Sequence, residues 1–327
     1  MTEGLQAVPV DAGAAPRPHA PGGRGTFLGR TLDSDVWVSF RRSKITMVAA
    51  AVTLLFFVLA LAAGIVAPQN PFDPAELELM NSRLPPLWEA EGQAPFLLGT
   101  DEQGRDILSA ILYGLRISLL VGFLGVAFSA TLGIALGLIA GYVGGAVDSL
   151  MMRVADVQLT FPAILIALLI DGVVKSILGG QLDPMTTLAV LVFAIGLSFW
   201  VQYARTVRGS VMVEKNKDYV AAARLIGLPA PVIMVRHVLP NVMGPVLVIA
   251  TINLALAVIT EATLSFLGSG MPETTPSLGT LIRIGNNYLF SGEWWMIAFP
   301  GIALAALVLA INLLGDWLRD ALNPRLR

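Results

Sequence analysis

Apolar residues in this chain come in long unbroken runs, not in the short rhythm of a soluble core. Six runs are long enough to cross a bilayer as helices, at about 45–67, 117–142, 160–178, 186–207, 242–267 and 294–314. Asp171 and Lys175 interrupt the third. Only closed barrels or helices satisfy their backbone inside lipid, and runs of this length specify helices. The expected architecture is an all-α polytopic membrane protein with six transmembrane helices.

The polar segments between the runs differ in character. Residues 218–241, reading DYVAAARLIGLPAPVIMVRHVLPN, are polar and helix-forming and lie between two spans. A short helix is expected at 219–226, carrying Tyr219, Ala222, Ala223 and Arg224. Gly227 stands where a helix end favours a left-handed residue, and Pro229 and Pro231 oppose continuation. A second apolar run, 232–238, is expected to end at Leu239-Pro240. The product is a knob shaped to enter a groove on a soluble partner. The segment 68–116 is the one extended soluble piece, acidic and broken by Pro85, Pro86 and Pro95.

Composition agrees with the pattern. Of 327 residues, 55% are apolar and only 13% charged, and the mean hydropathy of +0.74 lies far above the soluble range. The absence of cysteine excludes disulfides, thiolate metal sites and Cys nucleophiles. Two histidines, His19 and His237, are too few for a multi-His metal site. Residues 1–30 are rich in Pro, Gly and Ala and are expected to be a disordered tail, not a signal peptide. Trp37 and Phe40 with Arg41, Arg42 and Lys44 form an anchor before the first span. With both termini cytoplasmic, sixteen Lys and Arg fall inside and five outside. That bias places the 205–241 loop in the cytoplasm.

Four segments carry a family resemblance. Ala221-Ala222-Ala223, then Gly227, then Leu239-Pro240 resembles the EAA loop of ABC importer permeases, with Ala221 where an acidic residue usually stands. In that family the loop is a coupling helix that docks on the ATPase subunit. Gly99-Thr100-Asp101, then Gly104-Arg105-Asp106, resembles the GTDxxGRD segment of the dipeptide/oligopeptide subfamily, and the match runs on to Ser118. Residues 261–268, EATLSFLG, and the closing 312–325 run match the same subfamily. The resemblance implies a type I (MetI-like) permease in the bacterial cytoplasmic membrane. Its implied organisation is a tail and anchor (1–44), a first helix (45–67), an extracytoplasmic loop (68–116), a five-helix core (117–314) and a cytoplasmic tail (315–327). The implied partners are a second paralogous permease, two ATPase subunits, an extracytoplasmic binding protein and the lipid bilayer, with no nucleic acid. The chain lacks a GxxxxGK[ST] run, so ATP and magnesium fall to the ATPases and no cofactor is expected here.

Each remaining motif has two readings. The 99–106 segment is expected to be a turn and lid, with Thr100 or Asp101 capping the next helix. Arg153 and Asp156, three apart in a stretch the family places near the ATPase, can pair on one helix face. Gly133, Gly137 and Gly141 form a close-packing face, within the chain or across to another subunit. An ionisable group costs at least about 2.5 kcal/mol at the bilayer centre. Asp171 and Lys175 are therefore a mutually satisfied pair or a functional one. Glu261, with Ser265, either lines a gate or bonds helix to helix. Those same groups allow an ion-gradient-driven secondary transporter as the alternative. An intramembrane hydrolase lacks a Ser–His pair or a metal motif.

Overall fold

The computed structural model describes residues 35–73, 76–179 and 182–321. Every regular element among them is a helix. The expected tail at 1–30 and the residues after 321 lie outside this description. Residues up to Arg42 form a unit of their own, whose described part is α1, Asp35–Arg42, ending on two arginines.

The second unit begins with α2, Lys44–Leu61, which Ser43 caps by accepting a hydrogen bond from the Thr46 amide at 3.2 Å. There follow α3 (Ile107–Val143), α4 (Gly145–Leu159), α5 (Ala163–Leu178), α6 (Pro184–Glu214), α7 (Asp218–Leu225), α8 (Ala230–Phe266), α9 (Leu278–Tyr288) and α10 (Trp295–Ala321). Five described helices are long and apolar enough to cross a membrane, and six if α4 and α5 count as one broken span. At 1.5 Å per residue, the 37-residue α3 is about 55 Å long, well beyond a hydrocarbon core of about 30 Å. The helices therefore project further than their apolar runs alone suggested.

Glycine decides how α3 meets α6. A Cβ on Gly133 or Gly137 would collide with the carbonyl oxygens of Trp200 and Ala204, and one on Gly141 would lie 2.9 Å from that of Arg208. The small-residue stripe thus packs within the chain, backbone against backbone. Three of the four buried clusters among the described residues fill most of the bundle. One surrounds α9 with Leu115, Leu119, Val258, Leu281 and Met296. One joins α3, α5, α6 and α8 through Val121, Ala167, Ile195 and Leu264. The third, at the α7 end, holds Leu138, Val207, Val211, Val220, Ala223, Ile233 and Val242.

Two of the expected runs take a different form. The run 160–178 is helical only from Ala163, as the 16-residue α5, and α4 meets it at 92° just before it begins. Pro162 supplies no amide hydrogen and holds an extended backbone before α5, so helix hydrogen bonding stops there. The run 232–238 does not end at Leu239-Pro240 but continues into α8 through a π-helical segment, Ile233–Val238. The Leu239 amide reaches back five residues to the Met234 carbonyl, and Pro240, with no amide hydrogen, is accommodated in the first turn after it. The segment 268–293, which links the last two apolar runs, contains α9. Ser277 caps it, and Leu278, Leu281 and Ile284 bury one face.

Candidate functional site

The knob between α6 and α8 is built by backbone chemistry at its tip. Gly227 has φ +81°, a left-handed conformation that favours glycine. Its amide donates to the Arg224 carbonyl at 3.0 Å, and the Leu228 amide to the Ala223 carbonyl at 3.1 Å. This pair of bonds is a Schellman closure of α7. Val220 and Ala223 face inward and are buried among α3, α6 and α8. Ala222, Arg224 and Gly227 face out. So do Leu225 and Ile226, at 88% and 76% exposure.

Side chains fasten the base of the knob. The Tyr219 hydroxyl donates to Glu214 Oε1 at 2.6 Å and accepts from Asn241 Nδ2 at 3.1 Å. Burial, then the bond to Glu214, pushes the Tyr219 phenol above its ordinary pKa, so it remains a donor at neutral pH. Lys217 pairs with Glu214 at 2.8 Å. Arg224 lies over the Tyr142 ring, 5.1 Å from its centroid, and donates Nε–H to the Tyr142 hydroxyl at 3.3 Å. Leu239 is half-buried and Pro240 exposed beside this base. Glu214 and Asn241 were given no role in the sequence. Only their places at the ends of apolar runs hinted at them.

The expected Arg153–Asp156 pair does not form. Asp156 pairs instead with Arg205 on α6, and Arg153 is exposed. Asp148 forms a two-point ion pair with Arg208, whose Nη2 lies 2.6 Å from Oδ2. Gln158 accepts from Trp200 Nε1 at 2.6 Å and donates to the Leu197 carbonyl. Partners across the fold win over the local i, i+3 spacing because α4 lies antiparallel along α6, with 148 opposite 208 and 158 opposite 200.

The 99–106 segment is a compact turn. Gly99 and Gly104 have φ of +82° and +77°. Asp101 accepts from the Gln103 and Arg105 amides and binds the Arg105 guanidinium, whose Nη1 donates to the Glu273 carbonyl at 2.7 Å. Arg105 is 1% exposed. The helix cap is corrected: Asp106, not Thr100 or Asp101, accepts from the Ser109 amide at 2.8 Å and caps α3. Thr100 instead accepts from the Leu84 amide, and its carbonyl accepts from Trp295 Nε1. Burial raises the Asp106 pKa, against the lowering by Ser109. Burial, with the Asp101 charge next, raises that of Glu102 to about 6.

Glu261 is fully buried. Its two oxygens accept from Ser118 at 2.8 Å and Ser265 at 2.7 Å, and Ser277, the cap of α9, donates to Ser265 at 3.1 Å. The group therefore joins α3, α8 and α9. Asp171 pairs with Lys175 at 2.9 Å. Among the described residues no hydrogen bond links Asp171 to Glu261, so the structure contains no direct relay between them.

The geometry defines a class: a helical, multi-pass membrane protein with an exposed helical knob between two of its long helices. Residues 133–327 match the family described as "Binding-protein-dependent transport system inner membrane component", and residues 31–86 match the "N-terminal TM domain of oligopeptide transport permease C". The chain belongs to this family of importer permeases, which resides in the bacterial inner membrane. It is 37% identical to the dipeptide transport system permease protein DppC of Haemophilus influenzae, covering 92% of this chain and 98% of the relative. It is 40% identical to the di/tripeptide transport system permease protein DppC of Pseudomonas aeruginosa, covering 90% and 92%. A chain of the inward-facing MetNI methionine ABC transporter superposes with a TM-score of 0.52 at 18% identity, over 66% of this chain and 98% of that one. The fold is thus that of a MetI-like, type I importer permease.

Proposed function

We propose that this chain is one of two paralogous permease subunits lining the path by which an ATP-driven importer takes di- or oligopeptides into the cell. The observation that carries the reading is the knob: a closed helix whose inner face is locked into the bundle and whose apolar tip, Leu225 and Ile226, is uncovered among the described residues. The chain is not itself an enzyme. ATP hydrolysis belongs to separate ATPase subunits, which bind the ATP and magnesium, and an extracytoplasmic binding protein delivers the solute. The names of the relatives support peptides as the substrate class, and the Lys and Arg bias supports cytoplasmic termini and a cytoplasmic knob. In this reading, ATP-driven closure of the ATPases moves α7, rocks the bundle outward-open, and hydrolysis resets it.

The test is co-purification of the tagged chain from cells expressing the whole transporter. Leu225→Ser with Ile226→Ser should release the ATPases and keep the second permease, at unchanged yield. Retention of the ATPases by this variant would remove the knob from the coupling role.

A further inference from the structure

The helix α4 has little apolar reason to stay where it is. Of its fifteen residues only Ala155 is buried, against Trp200, Val201 and Ala204 of α6. Polar contacts supply the rest, in antiparallel register: Asp148 with Arg208, Asp156 with Arg205, and Gln158 with Trp200 and the Leu197 carbonyl. From 148 to 158 these contacts span about 15 Å of helix. They are not equal. Asp156 and Arg205 are 59% and 47% exposed, and an exposed pair contributes little. Asp148 and Arg208 are 15% and 30% exposed and meet through two parallel bonds, the geometry that makes guanidinium–carboxylate pairs strong and directional.

Beyond Arg208 the same end of α6 leads straight into the knob. Glu214, its last residue, holds Tyr219 and Lys217, and Val207 and Val211 pack on Val220 and Ala223. Lys215 also donates to the Gly141 carbonyl at the end of α3, at 2.7 Å. The geometry points to Asp148 and Arg208 as positioning residues of the transport cycle: an ionic clamp that makes α4, and the α5 segment bent 92° from it, follow α6 when the knob moves. A hydrophobic interface would permit sliding. A two-point ion pair fixes register and direction. Opening the clamp lets the knob move α6 without carrying α4, so ATP is consumed without moving solute. This rests on the permease reading above.

The experiment uses the complete transporter in proteoliposomes, with peptide uptake and ATP hydrolysis measured on the same preparation. Asp148→Arg and Arg208→Asp, each alone, should lower uptake about tenfold, within the usual range of a coupling energy, while ATP hydrolysis persists. The double exchange, Asp148→Arg with Arg208→Asp, should restore most of the uptake. The natural chain has no cysteine, which permits a second arm that does not depend on charge reversal. Asp148→Cys with Arg208→Cys should be uncoupled when reduced and recoupled when a short bifunctional thiol reagent joins the two. Uptake and hydrolysis falling in step, a double exchange no better than the singles, or a cross-link that blocks uptake would each overturn the clamp. Failure of the wild-type chain to assemble with ATPases would instead overturn the permease reading, so the two failures are distinct.

Discussion

The knob at 218–241 and the turn at 99–106 are both polar segments set against spanning helices, yet they treat their side chains in opposite ways. The turn spends its charged groups on itself. Asp101, Arg105 and Asp106 are each at most 2% exposed and bonded to neighbours. The knob satisfies its backbone with one glycine and leaves Leu225, Ile226 and Arg224 outward. The first segment is finished by contacts within its own chain. The second completes its backbone and leaves its apolar surface exposed, which is what the proposed coupling role asks of it.

Arginine gives the sharpest way to break that contrast. Arg105→Ala removes one member of a buried ion pair and the donor to Glu273, and losses of this kind cost about 3–5 kcal/mol. Arg224→Ala removes an exposed cation over Tyr142, worth about 0.5–1 kcal/mol. Denaturation of both variants in the same detergent should show a clear loss of stability for the first and a small one for the second. Equal effects would mean that the two segments do not differ as described.

Gly227→Val tests the knob's backbone at an intermediate scale. Space is no obstacle, since a Cβ there meets nothing within 4 Å. The cost comes from φ +81°, about 1–2 kcal/mol for a residue with a side chain. Local opening of α7 should therefore show in faster amide exchange at Gly227's neighbours, Leu228 among them, with exchange in the 99–106 turn unchanged. Exchange rates unaltered in α7 would show that the Schellman closure does not hold the tip.

Much of this was legible in advance, for a physical reason. Long apolar runs specify spanning helices whatever their partners, and Gly227 announces a helix end by local chemistry. Other features required distant residues. Asp156 ignores Arg153, three positions away, for Arg205, forty-nine away, because the approach of α6 is settled elsewhere in the bundle. The helix α9 is amphipathic, so average hydropathy passes over it. Of the two partners of Glu261, Ser265 lies one turn on and was visible in sequence, but Ser118 lies 143 residues off. The knob's outward face was readable as a motif, but the Glu214–Tyr219–Asn241 base that steadies it was not.

The smallest expected effect concerns Glu102, the one acid of the turn left partly open. Burial raises its pKa from 4.5 to about 6, and one of its oxygens has no hydrogen-bond partner. A raised acid pKa means that the folded turn holds the proton more tightly than the unfolded chain does. Its contribution is then fully favourable below about pH 4.5 and is lost as pH rises to about 6. The wild-type turn should therefore lose a little stability between those limits, and Glu102→Gln, neutral throughout, should flatten that part of the profile. Because the side chain is only half withdrawn from solvent, the change should be a modest shift in melting temperature. Asp106, fully buried and bonded to Ser109, should continue to respond to pH in the variant. A profile unchanged by Glu102→Gln would assign the whole pH response of the turn to Asp106, and would make Glu102 as open as an ordinary surface acid.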